Sequence, residues 1–108
     1  MMSTDPAAQP QSTFGTGTVA RITGKVQGVN YRNAAKRQAD ELSLVGWVSN
    51  TDDGAVELLV GGDGPAVDSL LAWCRRGPRR AEVDSVDTRE AAAEELESLP
   101  GSGFIVRR

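Results

Sequence analysis
The apolar and polar positions change period several times along the chain. From Thr16 they alternate, with Ala20, Ile22, Gly24 and Val26 on one side and Val19, Arg21, Thr23 and Lys25 on the other. A period of two predicts a first strand. From Tyr31 the apolar and small residues fall at Tyr31, Ala34, Ala35, Ala39 and Leu42, with Lys36, Arg37, Asp40 and Glu41 opposite. That spacing predicts an amphipathic helix. Val45 to Val48 reads as a second strand, and Asp53-Gly54 marks a tight hairpin into a third at Ala55 to Val60. Gly61 to Gly64 breaks the third strand and Pro65 suits a first helical position. Val67, Leu70, Leu71 and Cys74 then recur at helical spacing until Gly77-Pro78 stops the run.

Ala81 to Val86 resumes strand character, with a slip in the apolar spacing between Val83 and Val86 that predicts a bulge. The Ala- and Glu-rich stretch from Arg89 to Leu99 predicts a helical turn, ended by Pro100-Gly101, and Phe104 to Val106 predicts a short last strand. The order is βαββαβ plus a short C-terminal strand. This is the split βαβ pattern of ferredoxin-like α+β sandwiches, with two helices on one face of a mostly antiparallel sheet. In that topology the third strand lies between the first and second and runs antiparallel to both. The ends of the first and second strands then share one sheet edge, roughly 10 Å apart. Residues 1–13, polar and holding Pro6 and Pro10, are expected to form a disordered tail before a single domain at 14–108.

Composition narrows what such a domain can do. A formal net charge of -3 and a pI near 4.9 disfavour a nucleic-acid partner. No apolar run approaches the roughly 18 residues that span a bilayer, and the first residues lack the basic and apolar regions of a leader. A cytoplasmic protein without a membrane partner is expected. No apolar stripe is left unassigned, so a monomer is expected. Cys74 is the one cysteine and histidine is absent. An intramolecular disulfide, a Cys/His zinc site and Ser–His or Cys–His nucleophile pairs are therefore excluded. No metal and no cofactor are expected, and chemistry must come from positioning, arginine or carboxylates. Cys74, on the apolar stripe of the second helix, reads as core, and Trp47 and Trp73 read as packing residues.

Two segments carry candidate chemistry. Gly24 to Arg32 runs from the end of the first strand into the first turn of the first helix. Backbone N–H groups at such a junction have no intrahelical partners, and Gly28 permits a tight loop that turns them inward to meet an anion. Arg32, in that first turn, offers a planar guanidinium to phosphoryl oxygens. The second segment, Gly46-Trp47-Val48-Ser49-Asn50, ends on an asparagine where the second strand meets the hairpin. The strand order brings it to the same edge as the loop.

Taken together, VQGVNYR at Val26 to Arg32, GWVSN at Gly46 to Asn50, DG at Asp53-Gly54 and GP at Gly77-Pro78 closely resemble the acylphosphatases. The resemblance runs from about Val19 to Arg108. It implies a metal-independent hydrolase that cleaves the carboxyl–phosphate bond of a small-molecule acyl phosphate. Phosphate would be held by the loop at Gln27, Gly28, Val29, Asn30 and Tyr31 and anchored by Arg32, and Asn50 would orient the attacking water. Tyr31 stands where phenylalanine is commonest in the family, and Leu42-Ser43-Leu44 replaces the usual Leu-Gly-Leu, which leaves two expectations: a left-handed, helix-ending Ser43 at some cost, or a helix that ends differently.

Two other functions fit the same fold. One is the acylphosphatase-like domain that begins carbamoyltransferase maturation proteins; it is disfavoured because no cysteine-rich continuation follows. The other is an RNA-recognition module, which stacks bases on aromatic residues of its central strands. The predicted first and third strands contain no aromatic residue.

Overall fold
The computed structural model describes residues 16–108; the tail expected at 1–13 lies outside the described residues. The elements run β1 (Thr18–Lys25), α1 (Tyr31–Glu41), β2 (Val45–Asn50), β3 (Val56–Gly61), α2 (Gly64–Arg76), β4 (Glu82–Glu90), α3 (Ala93–Leu96) and β5 (Phe104–Arg107). They build one five-stranded sheet in the order β4-β1-β3-β2-β5. The β1–β4, β1–β3 and β2–β3 pairs are antiparallel, and β5 joins β2 in parallel. The ferredoxin-like α+β arrangement expected from the element order is what forms.

Alternation along the strands sorts side chains between the two faces. Ala20 and Ile22 of β1, Val48 of β2, and Val56, Leu58 and Val60 of β3 are fully buried. They pack against Ala34, Ala35 and Ala39 of α1 and Leu70, Trp73 and Cys74 of α2 in one core. The small residues of α1 bring its backbone close to the sheet. In α2 the most buried positions are Val67, Leu70, Trp73 and Cys74, whereas Leu71, expected on the apolar stripe, is only partly buried. Trp73 is packing, as expected, with its ring centroid 5.3 Å from that of Tyr31.

On the opposite face Val19, Leu59 and Trp47 lie side by side in register. The chain between β4 and β5 reaches this face, where Ser98 Oγ accepts the indole N–H of Trp47 at 3.1 Å. Arg107 lies 4.7 Å over the same ring. Trp47 is therefore half-buried on the outer face, outside the main core.

Edge strand β5 is tied to α1 by two side chains one turn apart. Lys36 Nζ donates to Phe104 O at 2.9 Å, and Arg32 Nη1 to Arg107 O at 2.7 Å.

Candidate active site
The segment between β1 and α1 crosses the sheet edge with Gly28 at φ 78° and Asn30 at φ 69°, both in the left-handed region. The first helical bond of α1 runs from Ala34 N to Asn30 O at 3.1 Å. No backbone N–H from Gln27 through Asn33 has a hydrogen-bond partner among the described residues. The first N–H groups of a helix have no intrahelical partner, and here the run extends back into the loop, so water or another external acceptor must meet the demand. A negatively charged group meets that demand best.

The run opens on a cavity of about 120 Å³ lined by Val26, Gly28, Asn30, Tyr31, Arg32, Asn33 and Asn50. A water needs on the order of 10–15 Å³ of such space, which leaves room for a tetrahedral anion with a water beside it. Asn50 is the last residue of β2, and the intervening strand β3 sets its distance from the loop. Its carboxamide has no hydrogen-bond partner among the described residues. Arg32 spends one N–H on Arg107 O, and its other guanidinium N–H groups have no partner among the described residues. No carboxylate lines the cavity.

Gln27 and Val29 are the two expected site residues that do not line the cavity. Val29 is buried in the core. The Gln27 amide faces the hairpin, donating to Thr51 O at 2.9 Å and Ala55 O at 2.7 Å. It clamps the loop to the turn that follows Asn50 and so fixes the two halves of the cavity relative to each other. Tyr31 is among the residues lining the cavity, while its side chain is buried in the core and its hydroxyl donates to Cys74 O at 2.8 Å. Burial pushes the Tyr31 phenol well above its ordinary range and raises the Cys74 thiol to about 11, so both stay neutral at pH 7.

The sequence reading missed Asn33 as a lining residue. It lies three positions after Asn30 and one after Arg32, and helical spacing alone would have placed it on the rim. The Gln27 clamp and the Arg107 carbonyl had no local signal, because each joins segments far apart in sequence.

The fold is an α+β sandwich whose strand-to-helix junction sets an arginine and an asparagine at one small cavity, beside backbone N–H groups without a partner among the described residues, a donor set suited to an anion. Residues 18–105 match the acylphosphatase family model. An acylphosphatase of Methylococcus capsulatus is 58% identical over 71 residues, 66% of this chain and 77% of that protein. The crystal structure of acylphosphatase from Bacillus subtilis superposes with a TM-score of 0.75 at 31% identity, covering 86% of this chain and 99% of that one. The structure of an acylphosphatase from Coxiella burnetii gives a TM-score of 0.75 at 37% identity over 85% and 92% of the two chains. The chain belongs to the acylphosphatase family, whose members are hydrolases of acyl phosphates.

Proposed function
We propose that this chain hydrolyses the carboxyl–phosphate bond of small acyl phosphates, with the phosphoryl group held by the loop N–H groups and Arg32 and the attacking water oriented by Asn50. The observation that supports this reading is the run of N–H groups without a partner among the described residues, several of whose residues line one cavity with Arg32 and Asn50. A phosphoryl group in line with it would place its equatorial oxygens on backbone donors and guanidinium. These donors are fixed before substrate arrives, so stabilising the charge of the transition state requires little reorganisation. The water, held by the free Asn50 carboxamide, attacks phosphorus as the phosphorus–acyl oxygen bond breaks. The electron pair leaves with the carboxylate, and a phosphate oxygen takes the water proton.

An acyl phosphate is a mixed anhydride with a stable carboxylate leaving group. Positioning and charge stabilisation suffice for it without a strong general acid or a bound metal. The reading includes a monomer acting in the cytoplasm; the free, buried thiol of Cys74 fits a reducing compartment.

Hydrolysis of benzoyl phosphate in the presence of chelator, measured beside folded Arg32→Ala and Asn50→Ala variants, tests it. Arg32→Ala is expected to lower turnover by roughly 10² to 10³, the effect of about 3 to 4 kcal/mol of lost transition-state stabilisation. Asn50→Ala is expected to lower the rate while retaining inhibition by inorganic phosphate. Wild-type inactivity in chelator, or equal loss of phosphate affinity in both variants, would contradict the division of roles.

A further inference from the structure
We propose that the side-chain amide of Asn30 donates a hydrogen bond to the acyl carbonyl oxygen of the substrate and that Asn33 orients it for this task. The inference rests on the phosphate reading of the cavity given above. Asn30 immediately precedes α1 in the left-handed conformation, φ 69° and ψ 24°. Asn33, one helical turn on, donates its Nδ2 to Asn30 Oδ1 at 3.2 Å. That bond occupies the oxygen of the Asn30 amide. The amide nitrogen keeps its N–H groups without a partner among the described residues, and both asparagines line the cavity that Arg32 and Asn50 share.

The backbone N–H groups and Arg32 can saturate the phosphoryl oxygens, but any phosphate ester would satisfy them equally. An acyl phosphate differs by the carbonyl next to its bridging oxygen. As the bond to phosphorus breaks, negative charge spreads over both oxygens of the departing carboxylate. A donor on the carbonyl oxygen is then bonded more strongly in the transition state than in the ground state, which is the condition for raising the rate. The rim of the cavity, where Asn30 is exposed, is where the departing group must pass.

Leaving-group dependence tests the assignment. The values of kcat/KM for a series of substituted benzoyl phosphates, spanning the acidities of the parent benzoic acids, are compared in wild type, Asn30→Gly and Asn33→Ala. Inhibition by inorganic phosphate is measured in parallel. Asn30→Gly removes the amide and keeps access to positive φ. A donor on the departing carboxylate compensates for poor leaving groups, so the wild type is expected to show a shallow dependence on acidity. Asn30→Gly should show a steeper one, with roughly a tenfold loss at the poorest leaving group. Asn33→Ala should shift in the same direction by less, and phosphate inhibition should stay unchanged. Parallel lines, whether from a uniform loss or from none, overturn the inference, as does a loss of phosphate inhibition that matches the loss of rate. A wild type that hydrolyses no acyl phosphate overturns the proposed function and this inference with it. An active wild type with parallel variants overturns this inference alone.

Discussion
At the scale of single residues, Tyr31 shows how a side chain next to the cavity also finishes a helix elsewhere. In a continuing helix the Cys74 carbonyl would accept from the N–H of residue 78, but that residue is Pro78 and has none. The Tyr31 hydroxyl supplies the missing donor at 2.8 Å. Tyr31→Phe keeps the ring and leaves a buried carbonyl unpaired. It is expected to lower unfolding free energy by about 1 to 2 kcal/mol, read from urea denaturation midpoints at unchanged slope, with phosphate inhibition preserved. In the sequence Tyr31 is visible as an aromatic anchor but its hydroxyl has no legible purpose, because the partner lies in another helix. The same holds for Gln27, which reads as a loop residue until the hairpin carbonyls are placed beside it. Arg32 and Asn50 were legible because each follows a local signal, a helix start and a strand end, and the strand order brings those two ends to one edge.

Among the elements, the end of α1 carries a cost that can be removed. Leu44 N bonds Ala39 O and Ser43 N bonds Asp40 O, both at 3.0 Å, the pairing of a Schellman motif. Ser43 occupies its left-handed position at φ 58°, the first of the two endings that Leu42-Ser43-Leu44 left open. A non-glycine residue there is strained by about 1 kcal/mol. Ser43→Gly should therefore raise the thermal midpoint by a few degrees, equivalent to roughly 0.5 to 1 kcal/mol, without changing kcat. Strand ends were harder to read. The expected bulge is present, since Thr23 pairs with Ser85 and Gly24 with Val83, leaving Asp84 as the extra residue. Yet β4 runs on to Glu90 rather than stopping at Val86, because β1 offers it partners as far as Thr18. Its last residues are polar because this is an edge strand, and polarity hid it. Similarly β2 continues through Ser49 and Asn50, paired with Glu57 and Val56 of β3. The helical turn expected between Arg89 and Leu99 is the one-turn α3, and Arg89 and Glu90 belong to the strand before it.

Across the whole molecule, exposed ion pairs fasten the irregular connections to the sheet. Bonds from Arg89 and from the Ala92 N–H hold the Glu95 carboxyl down to about 2, and Thr51 and Arg21 do the same for Asp53. Each folded-state value lies below the ordinary carboxylate range, so each group stabilises the fold above about pH 4, and that contribution is lost as pH falls toward 2. Thermal midpoints should be level above about pH 5 and decline between pH 4 and 2, and Glu95→Gln should flatten part of that decline. Asp53 is exposed and Glu95 partly so, and the effect should therefore shrink as salt is added. Strand β5 has a different consequence. The carbonyl that receives Arg32 is 75 positions away in the chain, so the arginine finds its anchor only when the most distant partner of α1 has docked. Helix formation and the β2–β3 hairpin can both precede that event, since their contacts are local. During refolding, the recovery of turnover would therefore wait for the last strand to dock, while spectroscopic signals from the helices would already be complete.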